Sequence, residues 1–215
     1  MKQFALALAA ALLLSGCAFL EIEVPPASVA AYVPTNHQGD ARLPHEVQRV
    51  AMLPVHGGTA ADPESSAALD PVLLTALQRQ VRFEVVTISR EDCRQLFGTG
   101  SVGSTEALPP GLLEKIAATY AVDAVLFTDI TVYQPYRPLT VGFRAKLATA
   151  RDVRLIWAFD EVFSGEQPAM LTSVRNYYAG VDKSAAMDVS SAVLQSPTRF
   201  GAVAADLMFR TLPPR

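Results

Sequence analysis

Few residues in this chain have the means to do chemistry. The thiols are Cys17 and Cys93, and the imidazoles are His37, His45 and His56. No histidine pair has the H-E-x-x-H spacing that places two ligands on one helix face, and two cysteines make neither a disulfide scaffold nor a Cys-rich zinc site. Gly98-Thr99-Gly100-Ser101-Val102-Gly103 spells G-x-G-x-x-G, and Asp123 follows at roughly the distance of a ribose-binding acid. A dinucleotide site, however, needs a strand directly before the glycines, a helix opening within them and the acid ending the next strand. Here a short polar helix precedes, two prolines intervene, and Asp123 starts its strand, so Gly98–Ser104 reads as a Gly/Ser loop. His56-Gly57-Gly58 has the composition of an esterase oxyanion loop, yet no serine sits in the G-x-S-x-G elbow that such a loop serves. Asp129, Asp160 and Glu161 lie on or near strand faces where Arg144 or Arg154 can neutralise them, as salt-bridged side chains rather than a catalytic dyad. The reading assigns no catalytic, cofactor-binding or metal-ligating residue, and expects no cofactor and no enzyme activity.

Cys17 stands apart. It closes Leu14-Ser15-Gly16-Cys17, directly after the apolar run Phe4–Leu14 that follows Lys2. A basic start, an apolar run and small residues make a signal peptide. Phe4–Leu20 is also uncharged and at the lower length limit for a span, so a retained helical anchor is the alternative. The four residues resemble the bacterial lipoprotein signal, in which the thiol is lipidated and becomes the new N-terminus. A small Gly fits a protease subsite, and only a thiol is nucleophilic enough to carry the diacylglyceryl thioether. One acyl chain anchors marginally and two or more anchor stably. Ala18 follows, with no Asp, which resembles the pattern of outer-membrane sorting. The expected division is a lipoprotein signal peptide over 1–16, a lipidated tether over 17–47 and a periplasmic domain over 48–212. Processing leaves Cys93 as the remaining thiol. It is read as a small buried hydrophobe, with an intermolecular disulfide as the alternative.

Half of the 215 residues are hydrophobic, 18% are charged, and the net charge is −3. That composition excludes a disordered chain. It also supplies no concentrated Lys and Arg, so no nucleic-acid partner is expected. Pro25, Pro26, Pro34 and Pro44 break up 18–47, where Tyr32 and Val33 could lie on the domain. Arg49–Val55 reads as a first buried strand ended by Pro54, and His56–Leu69 as loop. Asp70-Pro71 fits an N-cap and first helical residue, predicting a helix over 71–80. Strands are predicted over 83–88, 122–133, 139–150 and 153–163, and helices over 90–97, from 109 or 110 to Tyr120, from Pro168 to Tyr178, and over 197–210. In the last strand Val153, Leu155, Trp157, Phe159 and Phe163 share one parity. Residues 180–195 stay ambiguous. Alternation first and a meander after it predict a single α/β (α+β) domain, a mixed β-sheet of about five strands with helices packed on it. Tyr133, Tyr136, Tyr177 and Tyr178 are read as core or edge residues, with a surface partner cluster as the alternative.

The lipobox Cys17, the strands Arg49–Leu53 and Phe83–Ile88, then "LLEKIAATYAVDAVLFTDITVYQPY" and "LIWAFDEVF" resemble one group of envelope lipoproteins. The group includes the curli secretion lipoprotein and the lipoprotein activators of penicillin-binding proteins. The resemblance covers roughly residues 48–165. It implies a periplasmic α/β or α+β domain on an outer-membrane lipid anchor, working by binding an envelope protein. No pair of strands is left over for a membrane hairpin, which disfavours a pore. The tether is shorter than that of the synthase activators. A lipid- or small-molecule-handling role is the alternative, and homo-oligomerisation stays open.

Overall fold

The structure, a computed structural model, describes residues 29–181 and 192–215. Cys17 and the first part of the expected tether, through residue 28, therefore lie outside the described residues, as does the core of the ambiguous 180–195 stretch. The described chain forms a single α/β domain around a mixed six-stranded sheet. The strands are β1 (His37–Gly39), β2 (Arg49–Met52), β3 (Glu84–Thr87), β4 (Ala124–Gln134), β5 (Thr140–Thr149) and β6 (Leu155–Ser164). Their spatial order is β1-β6-β5-β4-β2-β3. β2 runs parallel to β3 and β4, and the remaining pairs are antiparallel.

Helices α1 (Pro63–Gln78), α2 (Arg90–Phe97), α3 (Leu112–Tyr120), α4 (Pro168–Val181) and α5 (Pro197–Arg210) complete the described elements. Their placement follows from connection handedness. From β2 the chain moves outward to β3 and then back past β2 to β4. Right-handed crossovers in opposite directions put α1 on one face and α2 and α3 on the other. The packing agrees. Leu69, Leu73 and Leu77 of α1 join Phe200, Val203 and Met208 of α5 over Val50, Leu126, Phe143 and Trp157. Cys93 of α2 and Leu112, Leu113 and Ile116 of α3 cover Ala51, Val125 and Phe127. β2 and the first half of β4 thus have two buried faces, which is why they read as continuous apolar runs.

The structure revises the expected elements in three places. α1 starts at Pro63, two turns before the expected Pro71, with Asp62 capping the Ser65 amide at 2.8 Å. Asp62-Pro63 and Asp70-Pro71 both carry a capping signature. The earlier one prevails because it adds Ser66 and Leu69 to the buried face, and because the Asp70 carboxylate is engaged elsewhere. In β6, Leu147 pairs with Trp157 while Ala148 pairs with Leu155. Ile156 is thus an extra residue, a β-bulge. It turns Ile156 into the core and leaves Leu155 49% exposed and Val153 exposed, against the expected parity. Finally, the segment before Arg49 supplies a sixth strand, β1, on the outer edge of β6.

That segment is held along 32–47. The Tyr32 amide donates to Ala169 O at 3.1 Å and to Ser173 Oγ at 2.8 Å, both on α4. Its hydroxyl donates to Glu161 at 2.5 Å, and its ring meets Phe163 edge-on. Burial first, and Glu161 second, push the Tyr32 hydroxyl up to about 12, so it stays a donor. Leu43 and Val47 are buried, whereas Val33 is 73% exposed.

Candidate functional site

In an open α/β sheet, the crevice for a ligand opens at the carboxyl ends of the strands where the order reverses. Here that point lies between β2 and β4. The chain beyond β2 continues beside β4 through a single bridge, His56 to Asp129. The His56 amide donates to Thr128 O at 2.9 Å, and the Ile130 amide to His56 O at 2.8 Å. The turn then docks on α1. A Cβ at Gly57 would lie 2.1 Å from Ser66 Oγ, so only glycine fits.

The Gly98–Ser104 loop folds over this crevice. Asp129, only 5% exposed, accepts from the Ser104 amide at 2.9 Å and from its hydroxyl at 2.5 Å. Lys146 on β5 donates to Ser104 O at 2.8 Å. Ser101 Oγ lies 3.2 Å from His56 Nδ1, and a Glu106 carboxylate oxygen 3.6 Å from His56 Nε2. These six side chains come from four separate segments. Their convergence was not legible from spacing; the signal that could have found it is the parallel adjacency of β2 and β4.

The composition is that of a Ser–His–acid relay, but the geometry serves loop closure. Glu106 is beyond hydrogen-bond range of the ring and its side chain is 61% exposed. The loop backbone packs on the imidazole, since a Cβ at Gly103 would fall 3.1 Å from His56 Cδ2. Ser104 and Asp129 satisfy each other. Loop 98–104 begins at Gly98, the left-handed cap of α2 at φ 77°; it follows a helix, not a strand. Asp123 accepts the Gln48 and Arg49 amides at 2.9 Å each and so fixes the start of β2.

The other singled-out residues take structural partners. Asp160 pairs with Arg144 at 2.6 Å, Arg154 with Asp40 at 2.6 Å, and Glu161 accepts from Tyr32, Thr35 and Asn36. Asp129 pairs with neither arginine. His37 is exposed on β1, and exposed His45 lies 3.0 Å from Glu46. Among the described residues no group of three His, Cys, Asp or Glu side chains converges to hold a metal. Cys93 is free and fully buried, and burial pushes its thiol up to about 11. It is therefore protonated at neutral pH and inert. Tyr177 and Tyr178 form an edge-on pair with the Arg79 guanidinium over Tyr177. Tyr133 packs against the core, and Tyr136 is 80% exposed.

What the fold defines is thus a mixed α/β domain with a closed, self-satisfied crevice at its switch point. No protein-family model matches the chain, and no curated protein matches it in sequence. Among solved structures, lipoprotein GNA1162 from Neisseria meningitidis is similar over 63% of this chain and 99% of its own, at 17% identity and a TM-score of 0.45. The PelC dodecamer from Paraburkholderia phytofirmans is similar over 83% of this chain and 96% of its own, at 11% identity and a TM-score of 0.44. The LpoB C-terminal domain from Salmonella enterica is similar over 55% and 83%, at 14% identity and a TM-score of 0.35. Likeness at this level assigns no role.

Proposed function

We propose that this chain is a lipoprotein anchored through Cys17 at the periplasmic face of the outer membrane. There it acts non-enzymatically, through protein contacts, in assembling or maintaining the cell envelope. The observation that carries the reading is Leu14-Ser15-Gly16-Cys17 at the end of the Phe4–Leu14 run. The fold adds a constraint. Because Tyr32 is already fixed to α4, the chain between Cys17 and Tyr32 spans at most roughly 50 Å. That is little more than the width of a domain of this size, so the domain works beside its membrane.

The test is Cys17→Ala, expressed in a Gram-negative host with labelled palmitate. The parent chain is expected in the outer-membrane fraction with label, and the variant to lose both label and membrane association. A variant that keeps the parent's membrane fraction, beside a parent that takes up no label, contradicts the reading. Crosslinking the anchored parent then identifies its protein partner. A second reading, lipid or small-molecule handling, is favoured by one observation, an open cleft of about 590 Å³ at the far end of β4, β5 and β6.

A further inference from the structure

The two edges of the sheet are treated differently. At one edge β1 is three residues long, and Pro213 packs beside its Gly39. A short, flanked strand closes an edge to other chains. At the other edge β3 has no such guard. The Glu84 amide donates to Gln48 O at 2.8 Å and the Ile88 amide to Met52 O at 3.1 Å, so residues of this parity face β2. The N–H and C=O of one strand residue share a side and alternate along the chain. Phe83, Val85 and Thr87 therefore direct theirs outward, where they meet no hydrogen-bond partner among the described residues. The strand carries one charged side chain, Glu84, and Arg49 neutralises it at 3.1 Å.

A cleft of about 520 Å³ adjoins the carboxyl end of this open edge. Met52, Pro71, Leu74 and Ile88 form its apolar wall, and Thr87 lines it from β3. Its polar side is closed by Arg90, already paired with Asp70 at 2.7 Å. Phe83 and Val85 pack on the α1 side of the sheet, and alternation puts Thr87 on that side too.

Edge and cleft complement themselves. Take a second β3 laid antiparallel, with Val85 on the two-fold axis. Phe83 then stands opposite Thr87 of the second copy, and Thr87 opposite its Phe83. The outward groups of all three residues enter one ladder. Each half-buried Phe83 also meets the mouth of the other copy's cleft, twice over by symmetry. An aromatic side chain entering a pocket is the kind of contact that dominates an interface. The neighbouring register, with Glu84 on the axis, sets two like charges opposite each other and is disfavoured.

We infer that this chain forms a two-fold dimer in which β3 pairs antiparallel with β3 of a second copy and Phe83 of each reaches the cleft of the other. The test uses the mature chain from position 17 with Cys17→Ser, which is unlipidated, so its outcome does not depend on anchoring. Sedimentation equilibrium is expected to show a monomer–dimer equilibrium with a dissociation constant of roughly 1–100 μM, as suits a small interface. Hydrogen exchange over 82–89 should slow as concentration rises. Thr87→Pro is expected to weaken the dimer about tenfold or more, because it removes an outward N–H from each copy. Thr87 is exposed and its N–H takes no part in the ladder to β2, so the monomer should stay folded. Far-UV circular dichroism checks this, and Thr87→Lys, which sets a charge against Phe83 of the second copy, replaces the proline if it unfolds the chain.

The register has its own readout. Val85→Cys is expected to give a covalent dimer on mild oxidation, since hydrogen-bonded opposite residues stand about 5.5 Å apart. Thr87→Cys is expected to give none, since the two copies of that position lie about 14 Å apart. The other thiol, Cys93, is buried. A monomer throughout the concentration range overturns the inference. So does a dimer that neither Thr87→Pro nor Thr87→Lys weakens, which uses another surface. Oxidation of Thr87→Cys to a dimer as fast as Val85→Cys overturns the register and the Phe83 contact with it.

Discussion

Trp157→Ala is expected to destabilise the domain by about 3–5 kcal/mol, the range for truncating a large buried aromatic. Trp157 is 1% exposed and sits where three elements meet. On β6 it stacks near Phe159 at 6.0 Å, and it reaches Phe209 of α5 at 6.3 Å. Its indole N–H donates to Thr211 Oγ1 at 3.1 Å, just past the end of α5. Gly39 of β1 packs on the same ring, where an added Cβ would lie 3.2 Å from Cδ1. The truncation therefore opens a cavity between the sheet, α5 and the edge strand. Trp157→Phe should cost clearly less, because most of the volume stays and Thr211 keeps its own bond to Met208 O. Urea unfolding followed by far-UV circular dichroism measures both, since the chain has one tryptophan. A loss below about 1 kcal/mol for Trp157→Ala would contradict this packing.

The second large effect is expected at Asp70. Its carboxylate accepts from the Val55 amide at 2.8 Å and from Arg90 at 2.7 and 3.0 Å. Arg90 also donates to Val55 O at 2.8 Å. The pair thus clasps the chain just beyond β2 between α1 and the start of α2. Both side chains are largely shielded, at 29% and 20% exposure. Asp70→Ala leaves the fully buried Val55 without its amide acceptor and Arg90 without a counter-charge. The expected cost is about 2–4 kcal/mol, below that of a fully buried pair. Removing Arg90 as well should recover part of the loss, so a double-mutant cycle should show a coupling of about 1–3 kcal/mol. Added salt should change the cost little, unlike that of the exposed Arg94–Glu91 pair. A coupling near zero would show that Asp70 acts only within α1.

Asp70 also shows where the sequence is legible and where it stops. Local rules identify a capping residue followed by proline, and they identify α5 from Ser196-Pro197 and its apolar stripe to the residue. They do not choose between Asp62 and Asp70, because that choice depends on Val55 and Arg90, which are distant neighbours. The same holds for β6, where alternation predicts Leu155 inside and one extra residue at Ile156 turns it out. β1 has three exposed residues and no periodicity, and exists because β6 offers an unpaired edge. Buried strands such as β4 need no such context, since both of their faces demand apolar residues. The polar crevice was legible only as separate candidates, His56, Ser101 and Asp129. Its meaning lies in partners up to several strands away.

The central claim is that Cys17 carries lipid and begins the working protein. The most direct measurement is the mass of the N-terminal peptide of the chain purified from host membranes. The expected peptide begins at Cys17 and carries the mass of a diacylglyceryl thioether with further acylation. A peptide that begins at Met1, or one that begins at Cys17 with an unmodified thiol, would contradict the account.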